Sequence, residues 1–157
     1  AGRVSFGAAP LDDGGVGLMR RRAVLDTNVL LDLYVYQDPR TQPLKSAMAQ
    51  GALDFLSCAQ AMTELADVLA REKFKLSEAQ QQAILMDWSR RSRLLADADI
   101  GPSPWRCKDK ADQMFLDMAW TSRPCLLLSK DLQVLKFAKR AEKEGVEIAA
   151  ALAAVLV

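Results

Sequence analysis

Arg22-Ala23-Val24-Leu25-Asp26-Thr27-Asn28-Val29-Leu30-Leu31, RAVLDTNVLL, carries one acid and two small polar residues at the centre of an otherwise apolar run. Arg22 to Leu25 suits a short buried strand. Across Asn28 to Tyr34 the apolar residues Val29, Leu30 and Leu33 recur at helical spacing instead. The polar triplet is therefore a junction where a strand leaves the core and a helix begins. An acid at such a junction is either a helix N-cap or a site residue, and the segment alone leaves both open.

The same alternation continues along the chain. DPRTQP is a loop, with a helix starting at Thr41 or Gln42 and closed by Gly51, and Leu53 to Cys58 is a second strand. AQAMTELADVLAREKF predicts a helix over 59–74 with Met62, Leu65, Leu69 and Phe74 on its apolar face. LSEAQQQAILMDWSRRSRLL predicts another, capped by Ser77, with a short strand beginning at Leu94 and Leu95. GPSPW is a loop and KADQMFLDMAW an amphipathic helix. CLLLS is a buried strand, LQVLKFAKRAEKEG one helix ending at Gly145, and VEIAA a last strand. Repeated strand–helix units imply α/β architecture, a parallel sheet covered by helices. The Gly-rich opening, residues 1–21, reads as a flexible N-terminal arm, and 22–157 as one domain.

Composition narrows the function classes. The 157 residues are 50% hydrophobic and 26% charged, a balance that supports a self-sufficient core. Lys+Arg at 21 against Asp+Glu at 20 provides no global basic excess, so an anionic partner must be held locally. The absence of histidine excludes Ser-His-Asp and Cys-His catalysis and His-ligated zinc. Cys58, Cys107 and Cys125 match no disulfide framework and read as buried free thiols of a reducing compartment. No apolar run is long enough to span a membrane and no signal-peptide pattern opens the chain, so the expected location is cytoplasmic.

Carboxylates must then carry any hydrolytic chemistry. Asp26 follows one strand and Asp131 follows CLLLS, and in an open parallel sheet ligands bind beyond the carboxyl ends of the strands. If these two strands are neighbours, both acids face one crevice. Asp109 and Asp112 lie three apart at a helix start, and Glu64 lies within the first two turns of the helix after the second strand. Acids gathered in one crevice repel, and their pKa values rise unless cations bind. Oxygen-only ligation suits Mg2+ or Mn2+. Each acid also has a plainer reading: Asp109 and Asp112 as helix N-terminal charges, Glu64 as a solvent-facing residue, Asn28 as a turn residue, and Thr27 and Ser129 as partners for exposed backbone.

Four separated motifs, VLDTNVLL, TELADVL, CKDKADQMFLDMA and LLLSKDLQVL, resemble in order and spacing those of the PIN-domain nucleases, in particular the PIN-family toxins of bacterial toxin–antitoxin systems. The resemblance runs from Arg22 to about Ile148. It implies a three-layer α/β/α sandwich around a mainly parallel sheet, and a metal-dependent endoribonuclease that cuts single-stranded RNA. Asp26, Glu64, Asp112 and Asp131 match the family's acidic quartet, Asp109 an additional acid, and Asn28 and Ser129 its small polar residues. Asp26, Asp112, Asp131 and Glu64 are thereby the candidate ligands of Mg2+ or Mn2+. Lys110, Ala111 and Gln113 stand where the subgroup often carries further acids or proline. A cognate antitoxin that blocks the crevice and homodimerisation through helices are further implications of the resemblance.

Arg106, Lys108, Lys110 and Lys130 flank the acidic motifs and are candidates to hold phosphate, against the reading of an ordinary solvated charge set. Trp105 either stacks a base or anchors its loop, while Trp88 and Trp120 belong to the core. Two other functions compete. A haloacid-dehalogenase-like phosphohydrolase would use Asp26 as nucleophile, but needs a second acid where this chain has Asn28. A catalytically silent binding module would keep the acids as fold features only.

Overall fold

In the computed structural model, residues 20–152 are described. The first strand, β1 (Arg21–Leu25), is followed by helix α1 (Thr27–Leu31), which runs on into a π-helical turn at Asp32–Tyr36. Helix α2 (Gln42–Gln50) ends on Gly51, whose φ of 64° closes the C-cap in the left-handed region. Strand β2 (Leu53–Cys58) leads into α3 (Ala59–Leu69), and α4 (Glu78–Arg91) into β3 (Ser92–Leu95). After the loop of residues 101–107 come α5 (Lys110–Thr121) and β4 (Cys125–Leu128). Two short helices, α6 (Leu132–Leu135) and α7 (Ala138–Glu142), precede β5 (Val146–Ala149).

The strands form one sheet in the order β3-β2-β1-β4-β5, and every pairing is parallel. Alternation along β1 splits the core between the two faces. Val24 packs with Leu127, Phe115 and Phe137 on one side, while Ala23 and Leu25 pack with Leu65, Trp88 and Leu126 on the other. Both faces are covered by helices, so the expected three-layer α/β/α sandwich is the architecture found. The inner part of β1 and all of β4 read as continuous apolar runs because neither face meets water there, whereas edge strand β3 exposes Arg93 and Leu94.

Several local details depart from the sequence pattern. The helix predicted over 59–74 stops at Leu69, and a separate 3-10 turn at Glu72–Phe74 sets Phe74 edge-on against Tyr36, with ring centroids 5.9 Å apart. Its apolar period thus served another packing surface. The helix predicted over 132–145 is broken between Leu135 and Ala138, where Phe137 N–H donates to Val134 C=O in a 3-10 step. Val134, Phe137 and Ala141 are all buried, so the apolar period survived although the hydrogen-bond ladder changed. Strand β3 begins at Ser92, two residues before the expected Leu94. Ser77 caps α4 as expected, in a reciprocal capping box with Gln80. Trp105 is buried edge-on against Trp120 at 5.2 Å, the anchoring reading rather than the stacking one; Trp88 is fully in the core and Trp120 only partly buried. Cys58 and Cys125 are buried, but Cys107 is half-exposed; all three thiols are free. The proposed arm lies outside the described residues up to position 19. No helix among the described residues is long and apolar enough to cross a membrane.

The π-helical turn places Tyr34 so that its hydroxyl donates to Asp87 on α4 at 2.6 Å, and Arg91 donates to the same carboxylate oxygen at 3.0 Å. Asp87 is almost fully buried, so its charge is stabilised by these donors. Asp87→Ala is expected to destabilise the fold by about 3–5 kcal/mol, because it strips a buried hydroxyl and a guanidinium of their acceptor. Urea denaturation checks this, and a change below about 1 kcal/mol would contradict the clamp.

Candidate active site

The chain runs outward from β1 to β2 and β3 on one side and later fills β4 and β5 on the other. The sheet's switch point therefore lies between β1 and β4, where a crevice opens beyond the strand ends. Leu25 pairs with Leu128, and Asp26 N–H donates to Leu128 C=O at 2.9 Å, so the first acid stands at the last rung of the ladder. One of its oxygens accepts the α1 cap bond from Asn28 N–H at 3.4 Å. The other accepts the Ser129 hydroxyl at 2.6 Å. The cap and site readings of Asp26 are thus not exclusive: the cap uses one oxygen weakly and leaves the carboxylate in the crevice.

Ser129 is fully buried and links the two strand ends. Its N–H donates to Ala149 C=O, and its oxygen accepts Asp131 N–H at 3.0 Å. Asn28 Oδ1 accepts Lys130 N–H at 3.3 Å, holding the same turn from the α1 side. Asp131 N-caps α6 through Gln133 N–H at 2.8 Å. Glu64 is brought in from α3 by Thr27, whose hydroxyl donates to its carboxylate at 2.5 Å. Asp109 is the N-cap of α5, accepting from Ala111 and Asp112 N–H, and remains exposed at the rim. Asp112, one turn on, is buried against Asp131.

Electrostatics records how crowded these acids are. Burial, then the charge and hydrogen bond of Asp131, then the charges of Asp109 and Asp26, push Asp112 up to about 7. Burial raises Asp26 as well; the Ser129 and Asn28 hydrogen bonds offset it, and Glu64 and Asp131 add to it. The ion pairs of the described residues engage Asp32, Asp38, Asp54, Asp87, Asp117 and Glu147, and none of them reaches these acids. Among the described residues the crevice is a carboxylate cluster that no ion pair reaches. Among the described residues no three carboxylates or thiols converge into a ready-made metal cage. The donor set nevertheless fits an oxygen-preferring ion such as Mg2+, which keeps several waters and takes only one or two carboxylates directly.

The predicted phosphate-holding cations are divided. Lys130 Nζ is paired with the buried Asp32 at 2.5 Å, and both line a cavity of about 110 Å³ with Val29, Arg40 and Leu44 beside the crevice. Arg106 turns away from the acids, donating to Ser103 C=O at 3.2 Å and facing Asp117 at 3.9 Å. Lys108 and Lys110 are exposed on either side of Asp109. Two structural contributors were not singled out from sequence. Asp32 is signalled only by lying four residues after Asn28 on one helix face. Gln113 is a buried amide whose Nε2 donates to Trp105 C=O and Asp117 and whose Oε1 accepts Cys107 N–H at 2.6 Å. It pins the preceding loop and so sets where Asp109 and Asp112 begin their helix.

Residues 22–133 match the family model of the PIN domain, which covers β1 through the start of α6 and every acid of the crevice. The chain belongs to the PIN domain family. PIN domains are generally nucleases, bind nucleic acid and typically use divalent metals. No curated protein matches the chain by sequence.

The raised carboxylates of this PIN domain carry a stability consequence. A folded-state pKa above the unfolded one favours the protonated native form, so this stability is full below about pH 4 and is lost as pH rises through about 7. In a chelator-containing buffer the melting temperature is expected to fall between pH 5 and 8, and Asp112→Asn to flatten the fall. A wild-type melting temperature that rises over that interval would contradict the crowding.

Proposed function

We propose that this PIN domain is a metal-dependent endoribonuclease that hydrolyses phosphodiester bonds of single-stranded RNA, the toxin of a toxin–antitoxin pair. The observation that carries the nuclease reading is the uncompensated carboxylate cluster at the switch point of the sheet. Asp26, Asp112 and Asp131, with Glu64 behind Thr27, would hold Mg2+ or Mn2+. A divalent ion bound there supplies Lewis acidity toward a phosphate oxygen and lowers the pKa of water, which a chain without histidine otherwise lacks.

The protein's own share is positioning. Ser129 fixes one Asp26 oxygen and, through Asp131 N–H, the turn that carries the facing acid. Thr27 orients Glu64. Asp109, occupied in capping α5, stands at the rim as an acceptor for water. Asn28 donates no proton chemistry: its Oδ1 is used to hold Lys130 N–H, which disfavours a phosphohydrolase with an acid/base at that position. Motif resemblance supports the toxin assignment, with a cognate antitoxin covering the crevice and homodimerisation through helices. The free thiols fit a cytoplasmic setting. The same reading takes one nuclease domain behind an N-terminal arm, with the boundary before Arg21, the first residue of β1, rather than at the expected Arg22.

Purified protein is expected to cleave a fluorescence-quenched single-stranded RNA with Mg2+ and not with excess chelator. Asp26→Asn should lower the rate more than about 100-fold, and Ser129→Ala about 10–100-fold, the range for residues that orient a ligand. Asp26→Asn protein as fast as its parent would refute the assignment. Turnover of a phosphomonoester alone would point to a phosphohydrolase, and no turnover of either to a silent binding module.

A further inference from the structure

With Lys130 paired to Asp32 and Arg106 turned toward Asp117, the crevice needs other cations to hold a polyanion. Helices α6 and α7 provide them. Lys136 is the C-cap of α6, Lys139 and Arg140 lie within α7, and Lys143 is the C-cap of α7; all four are exposed, while Val134, Phe137 and Ala141 of the same segment are buried, and Glu142 and Glu144 border the row. None of the four takes part in the ion pairs of the described residues. Two of them are held in place: Lys136 Nζ donates to Gln133 Oε1 at 2.9 Å, and Lys136 and Arg140 lie 5.2 and 4.8 Å from the ring centroid of the buried Phe137. A cation steadied on a ring loses less rotamer freedom when it meets a phosphate.

This row is continuous with the crevice. It begins at Lys136, the C-cap of the short helix α6 whose N-cap is Asp131. The loop before Asp109 leans on the same helix, Cys107 Sγ–H donating to Gln133 C=O at 3.4 Å, which brings the exposed Lys108 to that side.

We infer that the phosphate backbone of a single-stranded RNA leaves the carboxylate crevice along the α6–α7 segment, with Lys136 and Arg140 as its principal contacts and Lys139 and Lys143 beyond them. This rests on the nuclease reading of the crevice and adds the path of its substrate. Neither residue touches the carboxylates, so their part is to bind backbone without reading sequence.

Binding separates the two ideas. The probe is a fluorescein-labelled oligouridylate titrated by anisotropy with full-length Asp26→Asn protein over a series of KCl concentrations at constant Mg2+. Lys136→Glu/Arg140→Glu is expected to weaken binding at least about tenfold and to reduce the slope of log affinity against log salt by about 1.4, roughly 0.7 for each single-strand phosphate that is no longer neutralised. Lys136→Gln/Arg140→Gln should reduce the slope likewise with a smaller loss of affinity, and circular dichroism should show both variants folded. Lys73→Glu/Lys75→Glu carries the same net charge change beyond the far end of α3, away from the crevice, and is expected to keep the parent slope. Equal weakening by both reversals would reduce the effect to overall charge and overturn the inference. So would displacement of RNA by polyglutamate at equal charge, which would mark a surface for acidic proteins. A parent that binds with a slope unchanged in the α6–α7 variants overturns this path alone. An Asp26→Asn parent that does not bind RNA, together with unsubstituted protein that does not cleave it, overturns the nuclease reading as well.

Discussion

The parallel pairing of β1 with β4 is the constraint from which the rest follows. It sets side by side two strands that are distant in the chain, so that Asp26 and Ser129, 103 residues apart, share a hydrogen bond of 2.6 Å. Because both strands run outward to the same edge and both connections turn away there, the crevice is a consequence of topology rather than of a dedicated loop. The same pairing lets α5 and α6 start at that edge, and their N-termini bring Asp109, Asp112 and Asp131 to it.

Those acids cost the fold something. Hydrogen bonds from Ser129, Thr27 and backbone N–H groups offset part of the burial and mutual repulsion, yet Asp112 remains raised to about 7. Two other buried acids have a cation beside them, Asp87 with Arg91 and Asp32 with Lys130. Buried acids that no ion pair of the described residues reaches are where a cationic ligand gains most, since it relieves like charges that the hydrogen bonds offset only in part. The cations meanwhile stand outside the cluster, on the rim and along α6 and α7, which suits an anionic polymer better than a small free anion.

Much of the fold was legible from apolar period alone. Strand β2 runs over the residues its pattern marked, α2 closes on Gly51, and Ser77 caps α4, because those signals are local: a buried run, a left-handed glycine and a reciprocal cap. The period failed at Phe74, which packs edge-on against Tyr36 from a separate turn, and at Phe137, which belongs to the core although its backbone leaves the helix. Periodicity reports which side chains are buried and not whether the hydrogen-bond ladder between them is unbroken. For the site, the acids were visible as residue types at strand ends and helix starts. The partners of Lys130 and Arg106 were not, since Asp32 and Asp117 reach them through packing between separate elements.

By itself the sequence determined the chemistry on offer: no histidine, unpaired thiols, and acids placed where strands end and helices begin. It also determined the α/β alternation that makes a parallel sheet the economical way to bury so many apolar strands. Only the tertiary structure decided which acids meet, because strand order is a long-range choice that no local pattern encodes. It likewise decided which cations remain open, because an ion pair depends on the distance between side chains that folding brings together. That is why Asp26 could be singled out within RAVLDTNVLL, while Lys136 and Arg140 became candidates only once α6 was seen to start at the crevice.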